Sequence, residues 1–173
     1  MTPDFGRNHF ELLGLPIAYS VDGARLEHAY RDLQSRVHPD RFATSTEAER
    51  RVAMQWAARA NEAYRTLRDP VERARYLLNL KGFDTAEESN TAMPADFLMQ
   101  QMEWRDAAAE AKRARDRAEL KRLREDIKTE RREMLQRLER ALDAERNYDA
   151  GCSLVRKLRF LERLEEELGE AIG

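Results

Sequence analysis

The sequence predicts an all-α protein: an antiparallel helical hairpin near the N-terminus followed by a three-helix bundle. Three observations carry that expectation. Only 7 glycines and 5 prolines occur in 173 residues, too few for the many turns of a sandwich or barrel. Apolar residues recur at spacings of three and four along most of the chain. Hydrophobic residues make up 42% and charged residues 37% of the whole, which suits long amphipathic helices and disfavours disorder.

Phe10, Leu12, Leu13 and Leu15 open the pattern, and Gly14 and Pro16 stop it, so a turn of helix followed by a loop is expected. A longer helix follows, with Ser20 or Asp22 as cap and Leu26, Tyr30, Leu33 and Val37 on one face. His38-Pro39 ends it, because a residue before proline is pushed out of the α region. After a loop over 41–46, Val52, Trp56, Ala60, Ala63, Tyr64 and Leu67 mark a second helix, closed by Asp69-Pro70. Two stripes joined by a loop make the hairpin. Pro70 then starts a short helix carrying Val71, Ala74, Leu77 and Leu78, which ends near Lys81-Gly82.

Residues 84–94 are polar and unpatterned, and beyond them the helices become long and highly charged. The reading is therefore a first domain over 1–83, a linker over 84–95 and a second domain over 96–173. Helices are expected over 96–115, over 118–146 with Leu120, Leu123, Ile127, Met134, Leu138 and Leu142 inward, and over 149–172 with Leu154, Leu158, Leu161, Leu168 and Ile172 inward.

Charge excludes several functions. The first 83 residues hold 13 basic and 11 acidic side chains and the remainder 18 and 22, so neither half is a polybasic module for nucleic acid. The Arg- and Glu-rich stretch 113–140 reads as a solvated helix face with i,i+4 ion pairs. No run of about 18 apolar residues exists to span a membrane, and the N-terminus lacks the pattern of a signal peptide. The single cysteine, Cys152, leaves no internal disulfide or cysteine cluster. A cytoplasmic protein without cofactor is expected.

The least ordinary element is His38-Pro39-Asp40, which sets an imidazole, a fixed backbone and a carboxylate at the end of a helix. An enzyme using His38 and Asp40 as acid and base is disfavoured, because a surface loop lacks the convergent groups and water exclusion of a catalytic pocket. Metal binding through His9, His28, His38 and Cys152 is disfavoured by their spacing.

These residues carry a resemblance. Phe10-Glu11-Leu12-Leu13-Gly14-Leu15, the helix Ala29-Tyr30-Arg31-Asp32-Leu33-Gln34-Ser35-Arg36-Val37, His38-Pro39-Asp40-Arg41-Phe42, and Ala60-Asn61-Glu62-Ala63-Tyr64-Arg65-Thr66-Leu67-Arg68-Asp69-Pro70 resemble, in order, the J domain by which J-proteins stimulate the ATPase of DnaK-type chaperones. The resemblance implies contact with the ATPase through His38, Pro39, Asp40, Arg31 and Arg36. Glu27 and Asp32 stand where generic J domains commonly carry Lys or Arg, which favours a dedicated partner.

The second half narrows the family. It has neither a Gly/Phe-rich segment nor cysteine repeats, and Arg73-Ala74-Arg75-Tyr76-Leu77-Leu78, Gly82-Phe83-Asp84, Phe97-Leu98-Met99 and Val155-Arg156-Lys157-Leu158-Arg159-Phe160-Leu161 resemble the bacterial HscB family. That resemblance implies a non-enzymatic co-chaperone of iron–sulfur cluster assembly, which binds the scaffold IscU, delivers it to the DnaK-type chaperone HscA and stimulates its ATPase. An adaptor for a general DnaK-type chaperone with another client is the alternative. No phosphate-binding loop pattern occurs, so ATP belongs to the partner.

Helical geometry locates a second surface from the residues themselves. At 100° per residue, Phe97, Trp104, Ala108 and Ala111 fall within about 60° and form a core stripe, while Leu98, Met102 and Ala109 lie elsewhere, with Met99 and Asp106 just beyond. Phe160 falls about 110° from the leucine stripe of its own helix. A helix with two apolar faces either sits deep in a core or offers one face to another protein, and burying both is hard in a bundle this small; the alternative is that Phe160 covers a crevice while Met99 and Met102 fill the joint between the domains. The family resemblance assigns scaffold binding to this face, with Leu98, Met99, Met102, Glu103, Asp106 and Phe160 as contacts.

Overall fold

The computed structural model describes residues 6–86 and 93–173, and among these every regular element is helical. The helices are α1 (His9–Leu12), α2 (Gly23–Arg36), α3 (Glu47–Arg68), α4 (Pro70–Leu80), α5 (Ala95–Ala114), α6 (Arg117–Glu139) and α7 (Tyr148–Ile172). A short 3-10 turn (Pro39–Phe42) precedes α3, and a π turn (Arg140–Ala144) follows α6. The chain divides into two compact units, Met1–Leu77 and Leu78–Gly173. Of the expected linker, residues 87–92 lie outside the described residues.

Local chemistry sets the ends of each helix. Asn8 and Glu11 form a capping box on α1, and Thr46 and Glu49 form another on α3. Asp22, one of the two expected caps, accepts from the backbone N–H of Ala24 and Arg25 at the start of α2. Asp69 does the same for Val71 and Glu72, with Pro70 in the first turn of α4. Gly82, at φ +84°, turns the chain after α4 so that the Phe83 N–H donates to the Leu78 carbonyl.

In the first unit α2 and α3 run antiparallel. Tyr30 stacks on Tyr64, with ring centroids 4.2 Å apart, and its hydroxyl meets Asn61. The later Val37 instead lies near Ala53 and Ala57, early in α3. The inward line of α3 is Ala53, Ala60, Ala63 and Leu67, and Val52 and Trp56 are only partly buried. Ala60, Ala63 and Leu67 are thus buried as the spacing predicts, while early in the helix Ala53, which lines one groove with Val37 of α2, is buried in place of Val52. Phe10, Leu13, Leu26, Val71, Ala74 and Leu77 complete the core.

The second unit is a bundle of α5, α6 and α7 around Leu120, Leu123, Ile127, Met134, Leu138, Leu154, Leu158, Leu161 and Leu168. Val155 and Leu164 are buried as well, which widens the apolar face of α7 beyond its expected leucines. Arg131 approaches Glu165 across α6 and α7 at 3.8 Å, and Arg156 donates to the Thr85 carbonyl at 3.0 Å. The expected single helix over 118–146 instead leaves α geometry at Arg140, where the Glu145 N–H donates to the Arg140 carbonyl, five residues back. The wider turn lets the consecutive residues Ala141 and Leu142 both face inward.

Candidate functional site

The tip of the α2–α3 hairpin is shaped by the backbone before any side chain acts. His38 is extended (φ −60°, ψ 136°), as a residue before proline should be, and Pro39 starts the 3-10 turn. The Arg41 N–H donates to the His38 carbonyl at 3.0 Å, and the Asp40 N–H donates to His38 Nδ1 at 3.2 Å. With Nδ1 accepting, the neutral ring carries its proton on Nε2. The imidazole therefore staples the turn, while the Asp40 carboxylate, 3.6 Å from Nδ1, keeps its side chain 93% exposed. A carboxylate this open to water is suited to meeting another protein's cations, and poorly suited to a dry catalytic pocket.

Arg31 and Arg36 lie on the exposed side of α2, each paired with an acid one turn earlier. Arg31 pairs with Glu27, and Arg36 with Asp32 at 3.0 Å. Glu and Asp preceding their Arg by four residues is the favourable order along a helix. All four side chains are at least half exposed, so each pair contributes only a few tenths of a kcal/mol. Such pairs can open when a partner supplies a better carboxylate. Until then they damp the positive field of this face.

Beside the tripeptide lies an apolar groove of about 430 Å³, lined by Val37, Pro39, Phe42, Ala53, Met54 and Ala57 among others. Met54 is exposed there. Sequence reading did not single out this groove, because its walls come from the end of α2, the 3-10 turn and α3 together.

The second surface is on α5 and α7. Leu98, Met99 and Met102 are 42%, 64% and 64% exposed, while Phe97, Ala108 and Ala111 of the opposite stripe are buried. Trp104, expected in that stripe, is half-buried, and Gln101, which a hydrophobic pattern passes over, is buried beside it. Glu103 and Asp106 are exposed and form no ion pair among the described residues. Phe160 is half-buried, as its angular offset implies, and meets Phe97 edge-on with ring centroids 6.1 Å apart. The Arg105 guanidinium lies 5.0 Å from the Phe160 centroid and the Lys157 ammonium 5.4 Å from that of Phe97. The surface thus joins flexible apolar side chains to a half-buried ring and two exposed carboxylates, a combination that suits protein recognition.

Among the described residues no group of three or more His, Cys, Asp or Glu is arranged to hold a metal, and no helix is long and apolar enough to cross a membrane. Cys152 is buried in α7, and burial pushes its thiol pKa up.

The chain matches the family described as DnaJ domain over residues 8–76 and the one described as HSCB C-terminal oligomerisation domain over residues 93–169. It is 55% identical to the co-chaperone protein HscB homolog of Cupriavidus taiwanensis, over 94% of this chain and 92% of that protein. The chaperone HscB of Vibrio cholerae has a similar structure, with a TM-score of 0.82 and 38% identity, covering 95% of this chain and 96% of the other. Human co-chaperone protein HscB superposes with a TM-score of 0.91 at 29% identity, covering 98% of this chain and 84% of the human one.

Proposed function

We propose, from the premise that this chain belongs to the HscB family of J-domain co-chaperones, that it is an adaptor of iron–sulfur cluster assembly in the bacterial cytoplasm. One end binds the ATPase of a DnaK-type chaperone of the HscA kind, and the other binds the scaffold protein IscU. In this reading residues 1–83 face the chaperone, 96–173 face the scaffold and 84–95 join them. The observation that carries it is the presence of two exposed surfaces of different chemistry on separate units of one chain: a stapled loop with an open carboxylate, and an apolar patch with free acids.

At the first surface His38 holds the turn through its contact with the Asp40 N–H, which leaves the Asp40 carboxylate free to meet cationic groups of the ATPase. Arg31 and Arg36 exchange their internal partners for carboxylates of the chaperone. At the second surface Leu98, Met99, Met102 and Phe160 bury against the scaffold, and Glu103 and Asp106 pair with its basic side chains. Holding scaffold and ATPase on one chain raises the concentration of one at the other, with no bond made or broken by the adaptor itself.

The test is steady-state ATP hydrolysis by an HscA-type chaperone with this protein and IscU added singly and together. Synergy is expected. His38→Gln should abolish stimulation and leave scaffold binding intact, since the amide cannot reproduce the ring's hold on the turn. The combined variant Leu98→Ala/Met102→Ala/Phe160→Ala should lose only the scaffold-dependent part. Activation of a general DnaK-type chaperone with no effect on a competent HscA would leave a J-domain adaptor and remove the iron–sulfur assignment.

A further inference from the structure

Among the described residues Arg105 is the one cation on α5 set against an aromatic face: its guanidinium lies 5.0 Å from the Phe160 centroid, and it forms no ion pair there. It follows Leu98 by seven residues and Met102 by three, so the three side chains lie along one side of the helix. Phe160 reaches this line from α7 and is gripped from two directions. Phe97 meets it at an interplanar angle of 81°, and Arg105 covers it. Lys157, one turn before Phe160, lies in turn over Phe97 at 5.4 Å.

The physical problem at such a surface is entropic. A half-buried phenylalanine at the edge of a patch can swing about its first two torsions, and binding has to immobilise it, at a cost comparable to that of fixing any exposed side chain. A guanidinium over the ring removes that freedom beforehand without hiding the ring edge that Phe97 does not cover. Arg suits this position better than a hydrocarbon, because its outer N–H groups remain hydrated while its plane covers the ring.

We propose that Arg105 is a positioning residue of the scaffold-binding surface, acting through Phe160 by holding the ring in its binding orientation. This rests on the reading of that surface given above. The proposal differs from a direct contact in a measurable way: removing the guanidinium should matter only while Phe160 is present.

The experiment measures scaffold affinity by calorimetry for the full chain and for Arg105→Met, Arg105→Lys, Phe160→Leu and the double variant Arg105→Met/Phe160→Leu. It also records the Phe160 ring resonances of the free protein labelled with 13C-phenylalanine. Arg105→Met should weaken binding about two- to fivefold, as expected for an exposed cation over a ring. Arg105→Lys should recover part of that loss, and Arg105→Met should add nothing in the Phe160→Leu background. In the free protein Arg105→Met should move the Phe160 ring signals toward averaged positions and weaken cross-peaks to Phe97, with the thermal midpoint falling by no more than about 4 °C. An equal loss in both backgrounds would mean that Arg105 touches the scaffold itself, and would overturn the proposal. So would unchanged affinity or unchanged ring signals. If the unmodified chain fails to bind the scaffold, the proposed function falls; ring signals that respond to Arg105→Met would show the brace intact, so the two failures are told apart.

Discussion

His9 is a buried histidine, 9% exposed, stacked on the Tyr76 ring at 4.3 Å with its Nδ1 unpartnered. Its backbone N–H donates to the Tyr76 hydroxyl, so it ties α1 to α4. Burial is the main reason its pKa lies below the ordinary 6.5, with the Glu62 carboxylate pulling upward and the Arg59 guanidinium pushing further down. The folded form therefore binds a proton less readily than the unfolded chain. Stability should be unaffected by this residue above about pH 7, and should fall as pH drops through 6.5 toward the lowered folded value, below which the loss is complete. Thermal melts of the first unit between pH 7.5 and 5 should show that decline, and His9→Gln should flatten it. A slope unchanged by His9→Gln would assign the acid sensitivity elsewhere. Cys152 behaves as the opposite kind of buried group, because burial raises its thiol pKa and so favours the neutral form. A thiol reagent at pH 8 should modify it only at the rate at which α7 opens, and a burst of modification in the native protein would contradict its burial.

At the scale of the element, the two glycines of α7 make opposite predictions. A Cβ on Gly151 would stand 2.6 Å from Leu142 Cδ2 and 3.4 Å from Leu78 Cδ2, so the π turn packs against the helix through the space a side chain would fill. Gly151→Ala should destabilise by about 1–2 kcal/mol, overpacking outweighing the better helix propensity of alanine. At Gly169 the nearest atoms are the guanidinium of Arg124 at 3.3 Å, the far end of a long side chain that can move aside. Gly169→Ala should be neutral or stabilise by up to about 1 kcal/mol, and chemical denaturation of the two variants checks the difference in sign. The same elements mark how far sequence reads. A cap at Ser20 or Asp22, the stop at His38-Pro39 and the leucine lines of α6 and α7 are local or periodic and so legible in the sequence, whereas the choice of Asp22 over Ser20 is made by the structure. The π turn was hidden because Met134, Leu138 and Leu142 keep a helical spacing through its start, and Ala141 is too small to announce itself. Burial at Ala53 in place of Val52, and at Gln101, depends on what the facing helix brings. The half-burial of Phe160 was legible as an angle. Its bracing by Arg105 was not, because that contact joins residues 55 positions apart.

For the whole molecule the proposed function turns on one chain carrying both surfaces. A bridge of this kind has a concentration signature that a simple activator lacks. With chaperone and scaffold held fixed, the scaffold-dependent part of ATPase stimulation should rise as adaptor is added, pass through a maximum near the concentration of the scarcer partner, and then fall, because excess adaptor loads chaperone and scaffold on separate molecules. The part that depends on the J unit alone should rise to a plateau over the same range. Added His38→Gln protein should act as a competitor in proportion to the scaffold it captures, and the same variant carrying Leu98→Ala/Met102→Ala/Phe160→Ala should compete no longer. A scaffold-dependent part that saturates without declining would mean that the two partners do not need the same adaptor molecule. The surfaces would then act independently, and their presence on one chain would not be what couples them.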